Sequence, residues 1–169
     1  ATSLLSLLEH NRSAAELNIF VFDDAIRDES KEKLEQVVTP FGRTITYLRV
    51  PTTEELTGVS FQSQRWSSTM ILRLYVGSLF PKDIHRIIFL DCDVLVLDSL
   101  EPLWNIDLGD CYIGGVQECS GDKRKANLGL PPAANYINAG VELIDLDKLR
   151  ANHVESLYTA IMQKANGYI

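Results

Sequence analysis

His85–Trp104 reads HRIIFLDCDVLVLDSLEPLW, and its opening residues decide the fold class. Ile87, Ile88, Phe89 and Leu90 are consecutive apolar residues rich in β-branched and aromatic types, the pattern of a strand covered on both faces at the centre of a parallel sheet. The run stops at two carboxylates. In an extended chain residues i and i+2 share a face, so Asp91 and Asp93 would project side by side while Cys92 points away. Like charges that close repel, so either one proton is retained or a cation sits between them, and Mn²⁺ or Mg²⁺ takes oxygen ligands of this kind. In open α/β sheets ligands bind beyond the carboxyl ends of the strands, where this pair would lie. The spacing alone is cheap: Asp145-Leu146-Asp147 repeats it after the run Val141–Ile144, and there one aspartate capping the next helix accounts for it. The Asp91 pair differs, because no helix start follows it and a second apolar run, Val94–Leu97, does.

Before this stretch the chain alternates. Residues 2–11 read as an amphipathic helix, Leu17–Phe22 as a strand, Asp28–Val38 as a surface helix stopped by Pro40, and Thr44–Val50 as a second strand. Such αβαβ order argues for an α/β fold with a doubly wound sheet. Pro51–Gln64 is polar loop with a short helical turn, and Ser67 or Ser68 can cap an apolar helix from Thr69 to Phe80, ended by Pro81. Arg73 lies inside that helix amid Met70, Ile71, Leu72, Leu74, Tyr75 and Val76. A guanidinium there needs a partner, either a structural carboxylate, water reached by snorkelling, or a bound anion such as phosphate.

Beyond it, Leu100–Asn105 reads as a turn locked by Pro102, and Cys111–Gln117 as a strand in which Gly114-Gly115 implies a bulge or a close backbone approach. Residues 118–135 form a long loop, a common site of lids and binding segments. Tyr136–Gly140 is a turn into the strand Val141–Ile144; its small residues let a ligand approach the backbone, and Asn138 can bond hydroxyls. One amphipathic helix from Asp147 to Lys164 closes the chain.

The chain has 169 residues, 46% of them hydrophobic, which suits one domain with a real core. A formal net charge of −7 argues against nucleic-acid binding, and no apolar run approaches the ~20 residues of a membrane span. Cys92, Cys111 and Cys119 are an odd number without zinc spacing, which leaves either three reduced thiols or one disulfide and one free thiol; reduced thiols and a cytoplasmic location, at most peripheral to a membrane, are the simpler expectation. Residue 1 is Ala and the chain stops at Ile169 just after a helix, so a piece of a longer protein is expected.

Arg73-Leu74 in its apolar helix, FLDCDVLV with the later PLW, and YINAGVELIDLDKLR together resemble glycosyltransferase family 8, the retaining enzymes of the LgtC, glycogenin and galacturonosyltransferase type. That resemblance implies the GT-A fold, a Rossmann-like sheet with flanking helices, of which residues 1–169 would be an incomplete single-domain core. It implies Asp91 and Asp93 as the D-x-D pair holding Mn²⁺ (or Mg²⁺) against the diphosphate of a UDP-sugar. Arg73, Cys92, Asn138 and Ala139 would line the donor, Glu118 would stand on the side of a glycan or lipid-linked sugar acceptor, and Arg73, Asn138 and Glu118 would carry catalysis. The family's uridine-gripping first strand and its later D-Q-D and H-x-x-G-x-x-K segments are absent, so residues 1–169 alone are expected to transfer little or no sugar. Two other readings compete. Haloacid-dehalogenase-like phosphatases also end an apolar strand in D-x-D, with the first aspartate as nucleophile, but near the N-terminus and before Gly-Thr, whereas Val94-Leu95 follow here. A non-catalytic carbohydrate-binding relative would keep the fold, and the intact carboxylate pair argues against it.

Overall fold

The structure, a computed structural model, describes residues 1–58, 69–118 and 121–164. Helix α1 (Thr2–His10) leads into β1 (Ile19–Asp23), α2 (Asp28–Val38) and β2 (Ile45–Arg49), the order expected from the sequence. β1 and β2 pair in parallel, from Ile19 opposite Ile45 to Asp23 opposite Arg49. Leu8, Ile19 and Val38 are buried together where α1 and α2 meet β1. Each such side chain contributes roughly 1.5–3 kcal/mol through its removal from water.

After the short α3 (Thr53–Thr57), the predicted helix 69–80 is built in three pieces: α4 (Thr69–Leu72), a 3₁₀ turn (Arg73–Tyr75) and α5 (Val76–Leu79). Phe80 is its C-cap, before Pro81. The serines proposed as its N-cap lie outside the described residues. β3 (Arg86–Leu90), α6 (Glu101–Trp104), β4 (Ile113–Gln117), α7 (Gly121–Asn127), β5 (Ile137–Asp145), α8 (Leu146–Ala151) and α9 (Val154–Lys164) complete the described chain.

β3, β5 and β4 form an antiparallel sheet with β5 in the middle, so the central stretch does not pair within a parallel sheet as its apolar run implied. None of Ile87–Leu90 is exposed. A continuous apolar run reports that cover; strand direction depends on the partner, which the run does not encode. Residues directly opposite in an antiparallel pair share a face. One face of the sheet therefore carries a row Ile87, Ile144, Ile113, then a row Phe89, Glu142, Gly115, and beyond it Asp91 beside Gly140. The first row joins Val76, Phe80, Leu146 and Leu149 in the main core. Phe20 and Phe22 of β1 reach the same core through edge-on contacts with Phe80 at 5.1 and 5.9 Å between ring centroids, tying the parallel pair to the antiparallel sheet.

Other expectations are corrected. The Leu100–Asn105 turn contains the single helical turn α6, with Pro102 in the first turn where its missing N–H costs nothing. The loop 118–135 contains α7, which has no apolar periodicity and is held by Lys125: its buried ammonium donates to Pro132 O at 2.9 Å and pairs with Asp122 at 2.8 Å. β5 begins at Ile137, so Asn138-Ala139-Gly140 lies in the strand and not in a turn before it. The last helix is broken at Asn152-His153, with His153 at φ 51°. Arg150, near the end of α8, faces back to carbonyls in and after α5, donating to Gly77 O at 2.7 Å, Phe80 O at 3.1 Å and Ile84 O at 2.9 Å. The glycine pair behaves as read: β4 shifts register between Gly115 and Val116, and a Cβ on Gly114 would stand 2.8 Å from Leu108 Cδ2.

Candidate active site

Arg73, Asp91, Glu118 and the adjacent Asn138-Ala139 come from four separate segments and are linked by hydrogen bonds at one end of the antiparallel sheet. The 3₁₀ turn brings Arg73 over Phe89, with its guanidinium carbon 4.9 Å from the ring centroid. From there Nη1 donates to Ala139 O at 2.8 Å and Nη2 to Asp91 Oδ1 at 3.0 Å, so one side chain bridges the ends of β3 and β5. The backbone ties the same ends, since Asp91 N donates to Gly140 O at 2.9 Å. Asn138 Oδ1 accepts Gly140 N at 2.8 Å, and its Nδ2 donates to Glu118 Oε2 at 3.1 Å. Glu118 is itself placed by a bond from its N to Tyr136 O at 2.9 Å.

Asp91 and Asp93 are not presented by an extended strand. β3 ends at Leu90, and Asp91-Cys92-Asp93 turns back, with Val94 N donating to Asp91 O at 3.2 Å. Cys92 and Asp93 are exposed, and Asp91 is partly covered by Arg73. The second Asp-x-Asp is structural, as read. Asp145 Oδ1 accepts Lys148 N at 2.9 Å as the N-cap of α8, while Asp147 pairs with His85 and Arg150.

Glu142 was missed by the sequence reading. It is 6% exposed and stands opposite Phe89 on β3 and Gly115 on β4. Burial raises its pKa, with Arg73 opposing and Asp91 adding to the shift. The signal was present: a glutamate between Val141 and Leu143 is a charge amid apolar neighbours, the same cue that marked Arg73.

Asp91 bonds the Arg73 guanidinium, and the buried Glu142 feels both charges, so two carboxylates share one positive charge at this sheet end. Among the described residues no three His, Cys, Asp or Glu side chains are grouped to hold a metal, so any metal here would have at most the two carboxylates Asp91 and Asp93 that the sequence marks. Space exists beside it: a Cβ on Gly140 would fall 3.4 Å from Asp91 Oδ2 and 3.0 Å from Asn138 Oδ1, and glycine leaves that volume empty. Such a pair fits a divalent ion that completes its shell with substrate oxygens and water. Cys92 and Cys111 are free thiols, and Cys119 lies outside the described residues.

The family model for glycosyl transferase family 8 matches residues 1–168. The chain belongs to this family. It is 26% identical over 151 residues to General stress protein A of Bacillus subtilis, covering 89% of this chain and 52% of that protein. It is likewise 26% identical over 170 residues to the lipopolysaccharide 1,2-glucosyltransferase of Escherichia coli K12, covering 98% and 49%. Among solved structures it is similar to the galactosyltransferase LgtC in complex with donor and acceptor sugar analogues, with a TM-score of 0.81 and 27% identity over 96% of this chain and 59% of that one. The fold of this family 8 chain is thus the mixed α/β GT-A fold, and the phosphatase reading is set aside. The chain spans about half the length of the curated relatives it matches. No helix among the described residues is long and apolar enough to cross a membrane.

Proposed function

We propose that the protein is a metal-dependent retaining glycosyltransferase that moves a hexose from a UDP-sugar to a hydroxyl of a glycan or lipid-linked sugar. The observation that carries this reading is the hydrogen-bonded junction of Arg73, Asp91 and Ala139–Gly140 at one sheet end, in a chain of family 8. The sugar analogues bound to LgtC and the glucosyltransferase name of the Escherichia coli relative support a sugar donor and acceptor.

Charge explains the need for a metal. A chain of net charge −7 repels a diphosphate through its general field, and the site adds carboxylates to that field. Mn²⁺ or Mg²⁺ held by Asp91 and Asp93 would supply the Lewis acid that stabilises charge on a diphosphate leaving group. Arg73 adds a fixed positive charge. A guanidinium has five N–H donors. Arg73 commits one on each Nη to the protein and buries Nε, so one on each Nη is left for a donor oxygen. Asn138 is exposed and uses one Nδ2 hydrogen on Glu118, leaving the other for a sugar hydroxyl. Glu118, anchored beside Asn138, would face the acceptor, and the retaining outcome rests on the family resemblance.

The test is calorimetric titration of UDP into the full-length protein, with and without Mn²⁺, beside the Asp91→Asn/Asp93→Asn variant. Metal-dependent binding that the double substitution abolishes is expected. Binding indifferent to metal and to both substitutions would make this sheet end structural, and absent binding by the unaltered protein would favour the non-catalytic relative.

A further inference from the structure

The row of side chains between the core and the site ends the apolar packing with a carboxylate. Moving along the sheet face, Ile87–Ile144–Ile113 gives way to Phe89–Glu142–Gly115, and only then to Asp91 and Gly140. Glu142 is 6% exposed, and among the described residues its carboxylate accepts no hydrogen bond. A carboxylate removed so far from water and without such bonds is disfavoured as an anion unless a positive charge stands near. That charge is Arg73, whose guanidinium lies over Phe89, the direct cross-strand neighbour of Glu142. Arg73 also has a buried Nε with no partner. Its bond to Asp91 is the more exposed tie, since the Asp91 side chain is 41% accessible.

We propose that Glu142 is a positioning residue for Arg73: its buried carboxylate, one row below Asp91, keeps the guanidinium anchored on the sheet when Asp91 turns its charge to a metal. The inference rests on the metal role assigned to Asp91 above. An arginine tied to Asp91 alone would lose its counter-charge as the donor and metal arrive, at the step where its aim matters. Glu142 is held in place because it is buried in the middle strand of the sheet, opposite the Phe89 over which Arg73 lies. Opposite it on β4, Gly115 leaves no side chain to displace it, while a Cβ there would meet Ile137 Cδ1 at 3.0 Å.

Two measurements on the full-length protein test this. The first follows the Arg73 Nε–H proton by NMR: slow exchange with water in the unaltered protein, faster by about tenfold or more in Glu142→Gln, is expected for a guanidinium freed to move. The second is steady-state sugar transfer, where kcat in Glu142→Gln should fall roughly 10–100-fold with little change in KM, as for loss of an outer-shell support. Glu142→Asp should recover part of the loss, and in an Arg73→Lys background Glu142→Gln should cost nothing further. Glu142→Met, which extends the apolar row, serves as a second variant that folds. Unchanged Nε–H exchange, or an undiminished kcat loss in the Arg73→Lys background, overturns the proposal. Absence of transfer by the unaltered protein overturns the proposed function instead, and the exchange measurement still decides the Glu142–Arg73 link.

Discussion

Arg73 Nη2 stands 3.0 Å from Asp91 Oδ1, joining a helical turn before β3 to the residue just after it. With Nη1 on Ala139 O, this one side chain locks the two strand ends that bear the D-x-D and N-A-G segments. Geometry of this kind belongs to arginine, whose planar fork serves two acceptors at once, and not to the point charge of lysine.

Arg73→Lys therefore keeps the charge and loses the bridge. The ion pair is partly exposed, so stability should fall by no more than about 1 kcal/mol. Transfer should suffer far more, with kcat/KM reduced on the order of 100-fold, because the clamp on developing charge is misplaced. Parallel thermal unfolding and initial rates with the UDP-sugar check this; an equal loss in both would mark Arg73 as a stabilising residue only.

Gly140 presents no side chain to the volume between Asn138 and Asp91. In Gly140→Ala the new Cβ would lie 3.0 Å from Asn138 Oδ1 and 3.4 Å from Asp91 Oδ2. Asn138 is exposed and can yield, so the cost to folding should stay at about 1 kcal/mol or less. Metal-dependent UDP binding should weaken, since both displaced oxygens belong to the site. Titration of UDP in Mn²⁺ into the variant decides, and undiminished affinity would show that the donor does not use this space.

The two Asp-x-Asp motifs should separate by experiment. Asp145→Ala removes the N-cap of α8 and should cost about 0.5–2 kcal/mol in urea unfolding, with UDP binding intact. Asp93→Asn alters an exposed side chain and should leave the unfolding midpoint in place while abolishing the response to Mn²⁺. Reversal of the pattern would mean the wrong motif has been assigned to the metal.

Why one motif was readable and other features were not follows from what each residue reports. Arg73 was legible because a guanidinium amid apolar residues must have a partner, and that partner proved to be Asp91. Asp145 was legible because capping is local, fixed within three residues of the helix start. The parallel reading of Ile87–Leu90 failed because burial on two faces looks the same for either strand direction. Helix α7 was hidden because Lys125 holds it through Pro132 O, a contact outside its own periodicity. The expected strand-end geometry of Asp91 and Asp93 gave way to a turn, closed by a backbone bond that no side chain announces. Glu142 was overlooked inside an apolar run, although the cue that found Arg73 applied to it equally.

Glu142 also gives the stability of the protein a signature in pH. Its folded-state pKa is raised above the ordinary glutamate value of 4.5, chiefly by burial, with the Arg73 charge opposing and the Asp91 charge adding. The pKa of Tyr158 of α9 is pushed up chiefly by its own burial, with the Glu142 charge adding. Between the unfolded value and the raised one the native state holds more protons than the unfolded chain, so stability falls as pH rises through that window. The contribution is fully present below the unfolded value and lost above the folded one. Asp23 acts in the opposite sense: its pKa is lowered, first by the bond from Lys31, and the stability this brings is lost as pH falls. Subtracting the wild-type curve from that of Glu142→Gln cancels Asp23 and every other group the substitution leaves alone. The difference in unfolding free energy, measured by urea titration in EDTA from pH 4 to pH 8, should shift in favour of the variant as pH rises and then level off. A difference that is flat across the range, or moves in favour of wild type, would mean that Glu142 is not held in the buried setting between Phe89 and Gly115.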